Sequence, residues 1–235
     1  MQLFILGENK WRGEYEWPLA RTHYTDFFLH SGGGANTVSG DGSLSREPPA
    51  NHEPADEYDY DPRDPLMSLM RSDAQAAPVD QSSHDNRHDV LVYQTPPLDQ
   101  DIEVTGPITL QLWAASSCPD TDWTAKLCVV LADGLCVNLT YGIMRARYRN
   151  GFDNPALIEP GKPYLYEIKL NPTAILFKAG QRIRLSVSSS DFPNFDRNHN
   201  TGRDYWSDTE LRVAHQTVFH AGDFRSRLIL PVIPR

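Results

Sequence analysis

No stretch of this 235-residue sequence is apolar for long enough to cross a membrane as a helix: the longest runs, residues 127–132 and 228–233, fall far short of the roughly 18 to 20 residues needed. Positive charge is also scarce. The 22 Lys and Arg are outnumbered by 31 Asp and Glu, giving a formal charge of -9, and a field of that sign repels phosphate backbones and acidic lipid surfaces. Nucleic acid and membrane are therefore excluded as expected partners. Cysteine is sparse: Cys118, Cys128 and Cys136 are an odd set whose spacing is neither a disulfide framework nor a zinc pattern, so they read as reduced, core or half-core thiols in a cytoplasmic protein. The first residues, Met1-Gln-Leu-Phe-Ile-Leu-Gly7, lack the basic start and the apolar length of a signal peptide and read as a strand. The Gly-x-Ser-x-Gly elbow of α/β hydrolases is missing, as are a fixed-period repeat and a low-complexity linker.

What is present is period two. Ile108, Leu110, Leu112 and Ala114 alternate with Thr109, Gln111 and Trp113. Ile183, Leu185 and Val187 alternate with Arg182, Arg184, Ser186 and Ser188, and Tyr164, Tyr166, Ile168 and Leu170 repeat the pattern. One greasy and one wet face per segment is the mark of half-buried antiparallel strands. The window 123–131 is apolar on both faces, and residues 228–233 read as a last strand. Turn signals at Asp133-Gly134, Asn150-Gly151, Pro160-Gly161, Ala179-Gly180 and Ala221-Gly222 separate these segments. Many short strands at hairpin spacing predict an all-β sandwich or barrel with little helix, read as one domain over residues 1–235. The region 32–89 differs, with Gly32-Gly-Gly34, Pro48-Pro49 and the acidic, aromatic run Asp56-Glu-Tyr-Asp-Tyr-Asp61. A connection this long is expected to be clamped onto a neighbour, with a short helical turn over residues 66–70.

Residue patterns that carry chemistry are few. His84 and His88 have helical metal spacing, but the Glu of His-Glu-x-x-His is missing and solvated loop histidines are the better reading, so no metal is assigned. The loop from Asp196 to Gly202 has oxygen side chains at alternate positions, yet Thr201 and Ser207 stand where an EF-hand needs Gly and Glu, and Asx-rich turn chemistry explains the same residues through self-bonded backbone. The acid pairs Glu14/Glu16 and Asp120/Asp122 read as solvated turn carboxylates. Trp11, Trp17, Tyr58, Tyr60 and Trp206 offer a sugar-stacking platform on one reading and core or docking surface on the favoured one. No catalytic residue and no cofactor is assigned.

Ordered blocks along the whole chain nevertheless form a recognisable series. They include Gly7-Glu-Asn-Lys-Trp-Arg12, Phe28-Leu-His-Ser-Gly-Gly33, Gly40-Asp-Gly-Ser-Leu-Ser45, Tyr60-Asp-Pro-Arg-Asp-Pro65, Asp120-Thr-Asp-Trp-Thr-Ala-Lys126, Gly142-Ile-Met-Arg-Ala-Arg-Tyr148, Ser188-Ser-Ser-Asp-Phe-Pro193 and Asn200-Thr-Gly202. Together they resemble the C-terminal domain of X-Pro dipeptidyl-peptidase-like serine hydrolases, in the branch of cocaine esterase and the α-amino-acid ester hydrolases. The resemblance implies a jelly-roll β-sandwich of the galactose-binding-like type, packed on an α/β-hydrolase domain that carries the Ser, Asp and His triad. It also implies a substrate-cleft contribution from Leu69, Met70 and Arg71, after the Asp-Pro repeat, toward a small ester, amide or peptide. On that reading the chain alone is inactive. The competing expectations are a stand-alone carbohydrate-binding sandwich and an interaction module, including one that mediates a homo-oligomer.

Overall fold

A computed structural model describes residues 1–69 and 79–235. Among them lie thirteen strands and two single-turn 3-10 segments. The N-terminal strands β1 (Gln2–Ile5) and β2 (Lys10–Gly13) form a separate hairpin. The other strands, in chain order, are β3 (His23–His30), β4 (Ser43–Ser45), β5 (Asp56–Tyr60), β6 (Leu91–Gln94), β7 (Ile102–Ser116), β8 (Asp122–Val130), β9 (Cys136–Arg145), β10 (Tyr164–Phe177), β11 (Arg182–Ser188), β12 (Ala214–Phe219) and β13 (Arg227–Ile233).

Hydrogen bonding runs in the spatial order β5-β12-β7-β13-β3-β4-β6-β11-β8-β9, with β10 on the other edge of β7. All these pairings are antiparallel except β4 with β6. The protein is an all-β sandwich, as the period-two segments predict. Ile108, Leu110 and Leu112 of β7, Tyr166 and Ile168 of β10 and Leu228 and Leu230 of β13 share one buried cluster with Trp123, Ala125 and Leu127 of β8 and Ile183, Leu185 and Val187 of β11. A one-residue slip in any of these strands would turn its apolar set toward water, so this cluster also fixes the registers. Strand β9 passes close over β10: a Cβ on Gly142 would lie 2.4 Å from the Lys169 carbonyl oxygen, so only glycine fits there.

Two strands lie within the 32–89 region. Its acidic run forms β5, whose residues alternate buried and exposed, so Asp56, Tyr58 and Tyr60 point inward while Glu57 and Asp59 face water. Asp56 is held there by the Ser31 hydroxyl (2.6 Å), the Ala35 amide (2.9 Å) and the Tyr93 hydroxyl (2.7 Å), which satisfy a carboxylate that burial would otherwise penalise. The expected helical turn does not form over residues 66–69: Met67 makes a parallel bridge to Phe192 instead, because extended backbone reaches partners that a helical turn would forfeit. Residue 70 lies outside the described residues.

Leu110 is fully buried at the centre of the longest strand. Leu110→Ala is expected to cost about 2–5 kcal/mol by lost transfer energy and cavity formation, seen as a lower denaturation midpoint with an unchanged slope.

Candidate functional site

The segment 61–69 begins with Asp-Pro and contains a second Asp-Pro, so the residues before each proline are driven to extended backbone. Asp61 closes the first turn, its carboxylate accepting from the Arg63 amide at 3.0 Å and from Arg63 Nε at 2.8 Å. Beyond Pro65 the chain lies along the loop that follows β11. The Leu66 amide donates to Ser190 Oγ at 2.8 Å, the Phe192 amide to the Leu66 carbonyl at 2.9 Å, and the Ser68 amide to the Phe192 carbonyl at 2.7 Å. Arg197 Nη1 adds a bond to the Pro62 carbonyl at 3.0 Å, and Arg87 Nη2 one to the Asp64 carbonyl at 2.8 Å. With its backbone so held, the segment buries Leu66, exposes Met67 (49%) and leaves Leu69 half-buried.

The loop beneath rests on a buried polar seam. Tyr58 bonds Ser189 at 2.9 Å, and Gln216 donates both to Ser189 Oγ at 2.9 Å and to Thr121 Oγ1 at 2.6 Å. Asn198 Nδ2 bridges two carboxylates, Asp120 at 3.1 Å and Asp122 at 2.9 Å. Arg145 grips Asp122 with two bonds of 2.8 and 2.9 Å, and Arg147 Nε donates to Asp120 at 2.7 Å. Asp120 and Asp122 are therefore buried structural carboxylates, correcting the solvated-turn reading. That reading missed the arginines two residues apart at the end of β9, which complement carboxylates two apart at the start of β8; antiparallel pairing sets Asp122 opposite Arg145. Burial pushes the Asp122 carboxyl up, and the Arg145 fork opposes it. Burial likewise raises the Tyr58 phenol, against the pull of its Ser189 bond.

Nothing at this rim resembles an acyl-transfer centre. The hydroxyls of Ser189 and Ser190 are engaged by Tyr58, Gln216 and the Leu66 amide, and no histidine stands among those partners. What the rim presents is the exposed Met67 and the half-buried Leu69 on backbone bonded to the 190–192 loop. Met70 and Arg71, grouped with Leu69 by the family resemblance, lie outside the described residues. Of the candidate aromatics, Tyr58 and Tyr60 are core, whereas Trp11 and Trp206 are strongly exposed; Trp206 stands on a separate cleft of about 530 Å³ with Tyr148, His199 and Tyr205. Among the described residues no helix is long and apolar enough to cross a membrane.

Comparison with known proteins decides the family. Residues 1–229 match the X-Pro dipeptidyl-peptidase C-terminal non-catalytic domain. The chain belongs to that family. Over its whole length it is 41% identical to the cocaine esterase of Rhodococcus sp. (strain MB1 Bresler), covering 42% of that protein. An aminopeptidase from a marine sediment Thaumarchaeota archaeon superposes with a TM-score of 0.88 at 29% identity, over 99% of this chain and 40% of that one. An α-amino acid ester hydrolase gives 0.86 at 27% identity, over 98% of this chain and 40% of that one. This PepX-type C-terminal domain thus spans about two fifths of the length of these relatives.

Arg145→Ala is expected to destabilise the domain by about 3 kcal/mol at neutral pH, because it strands the buried Asp122 carboxylate. A carboxyl raised in the folded state favours folding in acid and loses that advantage as pH rises through its folded value. The deficit of Arg145→Ala against the parent should therefore shrink as pH falls into the carboxylate range, as read by denaturant titration at several pH values.

Proposed function

We propose that this domain packs against an α/β-hydrolase domain and forms one wall of that domain's substrate cleft, with Leu69 and the neighbouring Met70 and Arg71 at the rim. The observation that carries this reading is the immobilised segment 61–69, whose backbone is bonded to the 190–192 loop while Met67 projects into solvent and Leu69 is incompletely covered. Apolar side chains held out on fixed backbone contribute little to the sandwich itself; they suit the burial of an acyl, aromatic or prolyl group. The nucleophile, base and oxyanion donors belong on this reading to the other domain, and the bound molecule is a small ester, amide or peptide.

The wall supplies binding. Covering one such side chain contributes roughly 1.5–3 kcal/mol, and contacts formed alike with substrate and transition state lower KM without raising kcat. The galactose-binding-like topology and a cytoplasmic location belong to the same proposal, the second supported by three thiols that remain free.

In a complete hydrolase carrying this domain, Leu69→Ala should raise KM by about tenfold for bulky acyl groups, corresponding to about 1.4 kcal/mol, with kcat nearly unchanged. An unchanged kcat/KM for every acyl group tested would remove Leu69 from the cleft. The domain alone should bind no fluorophosphonate probe; a labelled serine within residues 1–235 would contradict the division of labour.

A further inference from the structure

A different face of the sandwich carries two thiols. Arg184 of β11 stands directly opposite Cys128 of β8, both pointing away from the core. An irregularity in the β8–β9 ladder between Leu127 and Cys128 sets Cys128 opposite Asn138 and Val130 opposite Cys136. Cys128 and Cys136 are thus diagonal neighbours on one face of the hairpin, a relation within reach of side-chain contact. Both thiols are buried on that face.

This outer face is sealed by residues 79–85. The Gln81 amide donates to the Cys136 carbonyl at 2.7 Å, the Val79 amide to Asn138 Oδ1 at 2.8 Å, and Asp80 bridges to Val137. Asp85, at the end of the same segment, forms an ion pair with Arg184 Nη2. Beneath it Cys128 and Cys136 are 0% and 1% exposed, and Arg184 is 2% exposed. Arg184 Nε is buried without a hydrogen-bond partner among the described residues. A guanidinium with an unused donor on the same face as two diagonally placed thiols is more than an apolar cysteine site requires: buried thiols pack as small hydrophobes and need no cation. The arrangement favours one thiolate, because an adjacent Arg and a neighbouring S–H donor both stabilise sulfur anion.

We propose that Cys128 and Cys136 constitute a reversible redox site, a sealed dithiol that closes to an intramolecular disulfide when a two-electron thiol oxidant, a diazene or a hydroperoxide, gains access past residues 79–85. With a diazene, the Cys136 thiolate adds to nitrogen, forming an S–N bond. The Cys128 sulfur, giving up its proton, then attacks the Cys136 sulfur, so the S–S bond forms as the S–N bond breaks. Two electrons and two protons leave the dithiol and the diazene departs as the hydrazine. The neighbouring Cys128 thiol holds Cys136 below the usual thiol range, with Arg184 acting in the same sense against burial, while Cys136 and burial raise Cys128. Cys136 is also the one of the two whose backbone carries the covering segment, through the Gln81 amide, so opening of that segment uncovers it first and makes it the attacking sulfur, with Cys128 the resolving one. Closing a diagonal pair requires the two Cα atoms to approach within about 4.4–6.8 Å, and the ladder is already broken beside Cys128, where such a shift meets least resistance.

The test is diamide treatment of the folded chain, alkylation of the remaining thiols and peptide mapping, with Asp85→Ala as a second protein in which Arg184 loses its partner in the covering segment. The expected result is loss of two hydrogens in mass, a single linkage between Cys128 and Cys136, an alkylated Cys118 and recovery of all three thiols with dithiothreitol. Asp85→Ala should close several-fold faster, and Cys136→Ser should form no intramolecular disulfide. A linkage involving Cys118, or no linkage in either the parent or Asp85→Ala while unfolding exposes three free thiols, would overturn the proposal.

Discussion

The pairing of Asp120 and Asp122 with Arg147, Arg145 and Asn198 is the interaction on which the rim depends. Two carboxylates taken out of water would be costly alone, so each is met by a cation and shares a bridging amide. Because Asn198 belongs to the loop after β11, satisfying those charges also fixes that loop, and the loop in turn fixes segment 61–69 through Ser190 and Phe192. Order passes from β8 and β9 outward to the rim by hydrogen bonds, each with a geometric requirement, where an apolar contact would have permitted sliding.

The sandwich below has the opposite character. Its registers are set by which face of each strand is greasy, and the strands that were plainest in the sequence, β7, β10 and β11, were plain because alternation and burial are the same signal. The acidic run 56–60 was harder. It reads as part of a long connection clamped onto a neighbour, yet it is a strand in its own right: Asp56, Tyr58 and Tyr60 occupy alternate positions and find buried partners contributed by residues as distant as Ser31, Tyr93 and Ser189. No local pattern contains those partners.

The same limit explains what could be read of the site. The Asp-Pro repeat marked segment 61–69, and family resemblance pointed to Leu69, but apart from Arg87 the residues that hold it lie more than a hundred positions away, in the loop after β11 whose stretch 196–202 reads as Asx-rich turn chemistry. That reading was sound locally: the Asn200 amide does bond the Asn198 carboxamide at 2.9 Å. What it lacked was the second role of Asn198 as a bridge between buried carboxylates, which appears only when β8 and β9 pair. Likewise Cys128 and Cys136, eight residues apart, fit no sequence motif; they become a pair only through the irregular register of a hairpin and the segment folded over it.

A cleft wall requires segment 61–69 to be held as firmly as the sandwich. Native-state hydrogen exchange of the Leu66 and Ser68 amides tests this directly. Protection close to that of the central β7 amides is predicted, since both donate to partners anchored on the buried polar seam. Exchange of both amides at the rate of an unstructured loop would contradict it and would leave the rim without a scaffold.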